Sequence, residues 1–86
     1  MRLLWDDRAW KEYLYWQTQD KKTLKKINEL IKDIERNGPL EGIGKPEQLR
    51  YREAFSRRID NTNRLVYVVN ENKQLVILSC RGHYED

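Results

Sequence analysis

The sequence predicts an α+β fold in which two N-terminal helices pack on a small, mainly antiparallel twisted sheet. Three observations lead to this prediction. Apolar residues recur at helical spacing in the first half of the chain, they alternate at a period of two in the second half, and a loop rich in Gly and Pro separates the halves. Helices and strands are therefore segregated along the chain, and the predicted order is β-α-α-β-β-β.

The first two elements are a short strand and a helix. Met1 to Trp5 is a short apolar segment that suits an edge strand, and Asp6 and Asp7 favour a helix start because carboxylates accept first-turn N–H groups. We expect a helix from about Asp7 to Gln19. Its ring-rich stripe should pack in the core and consists of Ala9, Trp10, Tyr13, Leu14 and Gln17.

The second helix is predicted with clearer limits. Asp20 should cap it, and Asn37, Gly38 and Pro39 should end it. Its lysines are more typical of a solvated face than of a nucleic-acid surface. The helical stripe consists of Leu24, Ile27, Leu30, Ile31 and Ile34, and the lysines on other faces are Lys21, Lys22, Lys25, Lys26 and Lys32.

A loop and a meander follow. Between Gly38 and Gln48 the glycines and prolines exclude regular structure, so we expect a loop that positions residues. After it, 55–60 and 64–69 alternate as strands, 60–63 and 70–73 have turn composition, and 75–80 forms the last strand. The helices should cover one face of this antiparallel meander.

Size and composition exclude several classes of protein. The chain has 86 residues, too few for separate catalytic and cofactor domains, so we predict one domain over residues 1–86. It lacks an apolar run of membrane-spanning length and a secretory signal, and we expect a cytoplasmic protein. One Cys and one His exclude an internal disulfide and the ordinary zinc sites.

The positive charge is concentrated in one segment. From residue 45 to residue 64 there are six cations and three anions, an excess that equals the net charge of +3 for the whole chain. Five of the six cations are Arg, whose planar fork suits bidentate phosphate contacts. Strand alternation puts Arg57 and Arg58 on opposite faces, so we expect one to share a surface with Arg64 and the other to point to solvent or a partner protein.

The one histidine lies just beyond the last predicted strand. It is His83, followed by Tyr84, and strand pairing could bring it near Arg64. A lone histidine near a C-terminus is more often without a chemical role. A terminal tyrosine is as compatible with a partly buried ring as with stacking on a nucleic-acid base.

Five segments carry a resemblance to a known family. The chain resembles the YoeB branch of the RelE-like bacterial toxins over nearly its full length. It departs from the family pattern at Phe55, where a Trp is common, in a shorter segment before it, and in the acidic ending Glu85–Asp86. The matching segments are WDDRAWKEYLYWQ, KKINELIKDIERN, EGIGKPEQL, SRRIDNTNRLVYVV and SCRGHY.

The resemblance implies a toxin of a toxin-antitoxin pair that enters the ribosomal A site and cuts mRNA there without metal or cofactor. An antitoxin similar to YefM would block it, and a homodimer is compatible with the resemblance. It further implies that Glu47 acts as general base, that Arg64 stabilises the phosphate, and that His83 and Tyr84 protonate the leaving group and position substrate. Three more cations would contact phosphate: Lys45, Arg50 and Arg58.

The chemistry can also be argued from the residue types. Cleavage of RNA by its own 2′-hydroxyl needs a base, a cation for the charge on phosphorus, and an acid for the 5′-oxygen. Glu47, Arg64 and His83 supply one of each. The alternatives are a catalytically silent relative that acts as an RNA- or antitoxin-binding module or transcriptional co-repressor, and a simple RNA-binding protein that uses the face from Lys21 to Lys32.

Overall fold

The computed structural model describes residues 1–83 and contains two helices and one five-stranded sheet within them. Tyr84, Glu85 and Asp86 lie outside the described residues. The elements are β1 (Leu3–Trp5), α1 (Asp7–Gln19), α2 (Lys21–Asn37), β2 (Glu47–Gln48), β3 (Phe55–Arg58), β4 (Arg64–Val69) and β5 (Leu75–Ser79).

The sheet has the order β1-β5-β4-β3-β2. β1 runs parallel to β5, and the other neighbours are antiparallel, so the predicted α+β fold with a mainly antiparallel sheet is confirmed. One strand was not predicted: Glu47–Gln48 lies inside the expected loop and pairs with β3. The pairing gives backbone hydrogen-bond partners to an edge of β3 that would otherwise be open.

The main core lies between α2 and the helix-facing side of the sheet. Ile27, Leu30 and Ile34 are fully buried, as the helical stripe predicted. They pack with Leu65 and Tyr67 of β4, which alternate with residues of the opposite face. That opposite face carries a smaller apolar cluster, made of Leu49, Ala54 and Val66 with Val68 and Leu78 against them.

Helix α1 has the predicted limits but buries a different face. Ala9 and Trp16 are buried, whereas Trp10 is 45% exposed, Leu14 is 42% exposed, and Gln17 is also exposed. The prediction that these last three pack in the core is wrong. The helix turns its Ala9–Trp16 side towards β5, and the Trp16 indole donates a hydrogen bond at 2.9 Å to the carbonyl of Cys80, the residue after that strand.

The ends of the helices follow local chemistry. Asp6 precedes α1 without a side-chain capping bond, so its expected capping role is not realised. Asp20 caps α2: one carboxylate oxygen accepts from Lys22 N at 3.1 Å and from Thr23 N at 3.4 Å. The hydrogen bond from the Thr23 hydroxyl contributes most to lowering the pKa of Asp20. Gly38, at φ 89°, ends α2 in a conformation that L side chains rarely adopt.

The expectation that the arginine on the face opposite to Arg64 points to solvent or to a partner protein is wrong. That arginine is Arg57. Its side chain is fully buried and faces the helices, in step with Phe55 and Ile59 of the same alternating run. It donates to the Asp33 carboxylate of α2, to the Tyr67 hydroxyl, and to the carbonyls of Gly38, Glu41 and Ile43. We call this set of contacts the Arg57 hub. The Arg57 hydrogen bond also contributes most to lowering the pKa of Asp33.

The Arg57 hub fixes the loop that leads into β2. Its carbonyl partners span residues 38–43, and the next carbonyl, of Gly44, accepts from Arg58 N at 2.7 Å. Gly44 has φ 82°, and a Cβ there would lie 2.7 Å from a Leu30 methyl carbon, so a side chain does not fit. The loop therefore delivers Lys45 and Glu47 to the sheet edge from a fixed position.

No helix within residues 1–83 is both long and apolar enough to cross a membrane.

Candidate functional site

A carboxylate and a guanidinium meet on the sheet face that the helices leave open. Glu47 begins β2 and Arg64 begins β4, and Ser56 of β3 lies between them. Arg64 Nη1 donates to Glu47 Oε1 at 2.9 Å and to Ser56 Oγ at 3.3 Å. The Arg64 side chain is 20% exposed and that of Glu47 is 60% exposed, so both can be reached from solvent.

A second arginine lies beside the first. Arg58 is the direct cross-strand partner of Arg64 and is exposed. Directly opposed residues of an antiparallel pair project to the same face, and two like charges in this position disfavour folding. Two arginines that project to one face can hold an anion such as phosphate between them, because the anion would relieve this repulsion.

The C-terminal segment is hydrogen-bonded to the same end of β4. Arg64 N donates to the Gly82 carbonyl at 3.0 Å, and Gly82 N donates to Asn63 Oδ1 at 2.8 Å. His83 is the next residue and is exposed. The structure thus places the histidine backbone beside the strand end that carries Arg64.

Asp60 lies near the imidazole. Burial raises the pKa of the Asp60 carboxyl. Hydrogen bonds from Asn63 and Thr62 and the nearby charge of His83 lower the pKa by more than burial raises it, so the net pKa lies below its ordinary value. Asp60 therefore stays ionised near neutral pH. The Asp60 carboxylate is thus a negative charge near His83 at this end of the sheet.

The other predicted site residues are placed less centrally. Lys45 is exposed, two residues before Glu47, and has φ 51°. Arg50 is exposed after β2, with its guanidinium carbon 5.7 Å from the Tyr51 ring centroid. Within residues 1–83, no described hydrogen bond or ion pair links the side chain of either cation to Arg64. Tyr84 lies outside the described residues, so its role stays a prediction.

A separate cleft of about 560 Å³ lies between the start of α2 and the turn after β3. Three lysines and three carboxylates line it, so its formal charge balances to zero. This balance does not favour a phosphate ligand over any other polar molecule. The lining residues are Asp20, Lys22, Thr23, Lys25, Lys26, Glu29, Ile59 and Asp60.

Metal ligands do not assemble in the part of the chain that the structure describes: residues 1–83 contain no group of three or more His, Cys, Asp or Glu side chains that could hold a metal ion. The Cys80 thiol is buried, and burial raises its pKa to about 12. It therefore remains a neutral thiol near physiological pH.

Residues 5–84 match the family model described as YoeB-like toxin of bacterial type II toxin-antitoxin system. The chain belongs to the YoeB toxin family. It is similar to Toxin YoeB of Escherichia coli strain K12, with 51% identity that covers 98% of this chain and 100% of that protein. Toxin YoeB of Synechocystis is 46% identical over 99% of each chain.

Solved structures of YoeB proteins have the same fold. A heterotetrameric YoeB–YefM toxin–antitoxin complex from Staphylococcus aureus contains a chain that is 49% identical to this one, with a TM-score of 0.89 and 98% coverage of both chains. A YoeB dimer from Staphylococcus aureus is 48% identical, with a TM-score of 0.91 and the same coverage.

Two residues of this YoeB-family site, Ser56 and Asn63, were not singled out by the sequence. Ser56 carries a signal, because it alternates in step with Arg58 and so shares its face. The burial of Arg57 on the other face of the sheet also had a signal, since Arg57 alternates with the apolar Phe55 and Ile59. Asn63 has turn composition only, and nothing in the sequence indicates that its side chain reaches Gly82.

Proposed function

We propose that this YoeB-family chain is a ribosome-dependent endoribonuclease that cuts mRNA in the ribosomal A site and thereby inhibits translation. The observation that carries the proposal is the Glu47–Arg64 ion pair on the open sheet face. Arg58 lies directly opposite Arg64, and the backbone that leads to His83 is hydrogen-bonded to Arg64. These contacts support the proposal that a base, a phosphate-binding cation and an acid act together at this end of the sheet.

The reaction needs no metal or cofactor. Glu47 removes the proton of the 2′-hydroxyl, and the 2′-oxygen forms a bond to phosphorus while the bond from phosphorus to the 5′-oxygen breaks. His83 gives its proton to the departing 5′-oxygen. The products are a 2′,3′-cyclic phosphate and a 5′-hydroxyl. Arg64 stabilises the additional negative charge on the phosphoryl oxygens, with Arg58, Lys45 and Arg50 holding neighbouring phosphates and Tyr84 positioning the substrate.

The ion pair is suited to exchange for a substrate. A solvent-accessible pair contributes only about 0 to 1 kcal/mol to stability, so a phosphate can displace it at small cost. Arg64 then pairs with the phosphate, and the Glu47 carboxylate is released beside the 2′-hydroxyl. The resting contact keeps both groups at the place where the reaction needs them.

The proposal is tested on programmed ribosomes that hold an mRNA in the A site, with the ribosomal Mg²⁺ retained. Purified wild-type chain should release fragments that end in 2′,3′-cyclic phosphate. Glu47→Gln and His83→Gln should each lower the rate about 100-fold or more while leaving ribosome binding nearly unchanged. Glu71→Gln, on the exposed turn at the opposite end of β4, is the matched control and should cut at the wild-type rate.

The competing function is a catalytically silent module that binds RNA or its antitoxin. It predicts intact mRNA despite tight ribosome binding, and equal behaviour of the Glu47 and Glu71 variants. A simple RNA-binding protein predicts a steep salt dependence of binding and loss of binding on changing the lysines of α2. Intact mRNA with the wild-type chain would therefore contradict the nuclease proposal.

An acidic antitoxin similar to YefM is the proposed inhibitory partner. The chain carries a net charge of +3, and its arginine-lined face and the β2 edge of the sheet are open to a partner. A disordered acidic segment can fold over such a surface and bury it reversibly. A second copy of the chain is a further proposed partner, in line with the dimer from Staphylococcus aureus. Both assemblies are measurable by light scattering coupled to size-exclusion chromatography.

A further inference from the structure

Gly82 is held on both sides by two consecutive residues. Its N–H donates to the Asn63 side-chain oxygen at 2.8 Å, and its carbonyl accepts from Arg64 N at 3.0 Å. The two hydrogen bonds fix the peptide units before and after Gly82. The second of these units contains the backbone nitrogen of His83, so the start of His83 is fixed relative to Arg64.

The Asn63 side chain is itself held in one orientation. Its amide nitrogen donates to Asp60 Oδ2 at 3.0 Å and to Oδ1 at 3.2 Å. The Asn63 carbonyl accepts from Ile59 N at 2.9 Å, which closes the turn. Because the amide nitrogen faces the carboxylate, the amide oxygen faces Gly82. Alanine at position 63 has no side-chain amide, so it could make neither the contact with the Asp60 carboxylate nor the contact with Gly82 N.

These two hydrogen bonds to Gly82, which we call the Gly82 clamp, act at a residue that otherwise has wide conformational freedom. Gly82 has φ 84°, and its conformational range exceeds that of any residue with a side chain. Upstream, the backbone is already fixed: Cys80 N donates to Glu12 at 2.8 Å, and the Arg81 guanidinium carbon lies 3.7 Å from the Tyr15 ring centroid. The backbone conformation at Gly82 therefore determines where the chain places His83.

We propose that Asn63 is a positioning residue for the His83 imidazole, which it directs through Gly82 towards the phosphate held by Arg64. This inference rests on the proposed nuclease function. One dipeptide, Asn63–Arg64, then sets the place of both the cation and the acid. Asn63 itself touches no reacting atom, so its loss should affect only the step that His83 serves.

The test compares two messages on programmed ribosomes. One has an ordinary scissile linkage, and the other has sulfur in place of the bridging 5′-oxygen, so that the thiolate leaves without a proton. On the ordinary message, Asn63→Ala should lower kcat about tenfold with KM within about twofold of wild type, because part of the general-acid contribution is lost. On the sulfur message, Asn63→Ala and His83→Gln should both cut at the wild-type rate.

Thr62→Ala is the matched control, because Thr62 lies in the same turn and only its backbone is used in the described hydrogen bonds. It should behave as wild type on both messages. Gly82→Ala is the second variant: an added Cβ there meets nothing within 4 Å, so only the backbone conformation at φ 84° is disturbed. It should show the same rescue by sulfur as Asn63→Ala.

A structural measurement separates this inference from the proposed function. In the free chain, hydrogen exchange of the Gly82 amide should be about fivefold faster in Asn63→Ala than in Thr62→Ala, the change expected for one lost hydrogen bond. The inference is overturned if Gly82 exchange is unchanged, or if the loss persists on the sulfur message. A wild-type chain that cuts neither message overturns the proposed function, and with it the role of Asn63 in positioning His83 for cleavage, even where the exchange result shows the Gly82 clamp.

Discussion

Replacing Arg57 by Met removes every donor of the Arg57 hub while retaining much of the apolar stem. The change leaves the carbonyls of Gly38, Glu41 and Ile43, the Tyr67 hydroxyl and the Asp33 carboxylate without that partner. Breaking a buried ion pair by removing one member costs about 3 to 5 kcal/mol. A domain of this size has a free energy of unfolding of roughly 4 to 13 kcal/mol, so a large part of the stability should be lost.

The assay is denaturant unfolding followed by tryptophan fluorescence, with thermal unfolding beside it. A loss of about 4 kcal/mol corresponds to a midpoint lowered by roughly 16 to 32 °C in a domain of 60 to 100 residues. Tyr67→Phe removes only the hydroxyl that joins Arg57 to the Pro39 carbonyl and should cost about 1 to 3 kcal/mol. It provides a folded variant if Arg57→Met does not fold.

Arg58→Met is the matched control for stability. Arg58 follows Arg57 in the chain but is exposed, and the described contacts of its backbone do not depend on the side chain. We expect a change within about 0.5 kcal/mol. If Arg57→Met and Arg58→Met lowered the free energy of unfolding equally, or if Arg57→Met cost less than about 1 kcal/mol, the stabilising role of the hub would be refuted.

Three further outcomes follow from particular contacts. Alkylation of Cys80 at pH 8 should be slow in the folded chain and fast in denaturant, because burial raises the pKa of its thiol to about 12; mass spectrometry with iodoacetamide measures this. Stability should fall as the pH drops below about 4, because Asp20, Asp33 and Asp60 have lowered pKa values in the folded chain and the unfolded chain therefore takes up more protons. Thermal unfolding measured between pH 2.5 and 7, roughly the range in which carboxylates titrate, tests this. A midpoint that does not fall at low pH would contradict it. Gly44→Ala should destabilise the fold more than Gly38→Ala, because a Cβ at Gly44 would lie 2.7 Å from Leu30 and 3.2 Å from Arg57, whereas a Cβ at Gly38 meets nothing within 4 Å; equal unfolding midpoints would contradict the steric argument.

Much of the fold was predictable because it follows local patterns. The stripe from Leu24 to Ile34 and its cap at Asp20 define α2 without reference to the rest of the chain. The alternation from Arg64 to Val69 defines β4 in the same way. Two residues of β2 are too few for any periodicity, so this strand depends on the β3 edge that it pairs with.

The face that α1 buries could not be predicted from α1 alone. Ala9 and Trp16 lie on one side, Trp10 and Leu14 lie on an adjacent side, and both sides recur at helical spacing. The choice between them depends on the end of β5, because the carbonyl of Cys80, the residue that follows this strand, accepts a hydrogen bond from Trp16. That contact joins residues 64 positions apart, beyond the reach of a local pattern.

The candidate site was predictable in residue type and less so in construction. The family resemblance named Glu47, Arg64 and His83 as candidates, and their roles stay a prediction. The structure brings the Glu47 and Arg64 side chains into contact at 2.9 Å. That Arg57 would be buried depends on Asp33, which lies 24 residues earlier on another element. The contact from Asn63 to Gly82 likewise joins a turn to the C-terminal segment and has no sequence signature.

The parallel pairing of β1 with β5 also bears on how the toxin is made. Leu3 pairs with Leu75, so β1 cannot pair until β5 has been synthesised. In the sheet, β5 lies between β1 and β4. At about 5 to 20 residues per second, translation of the intervening 70 or so residues takes roughly 4 to 14 s. A nascent chain that ends before β5 lacks both β5 and residues 80–83, so neither the pairing of β1 nor the hydrogen bond from Arg64 N to the Gly82 carbonyl can form in it.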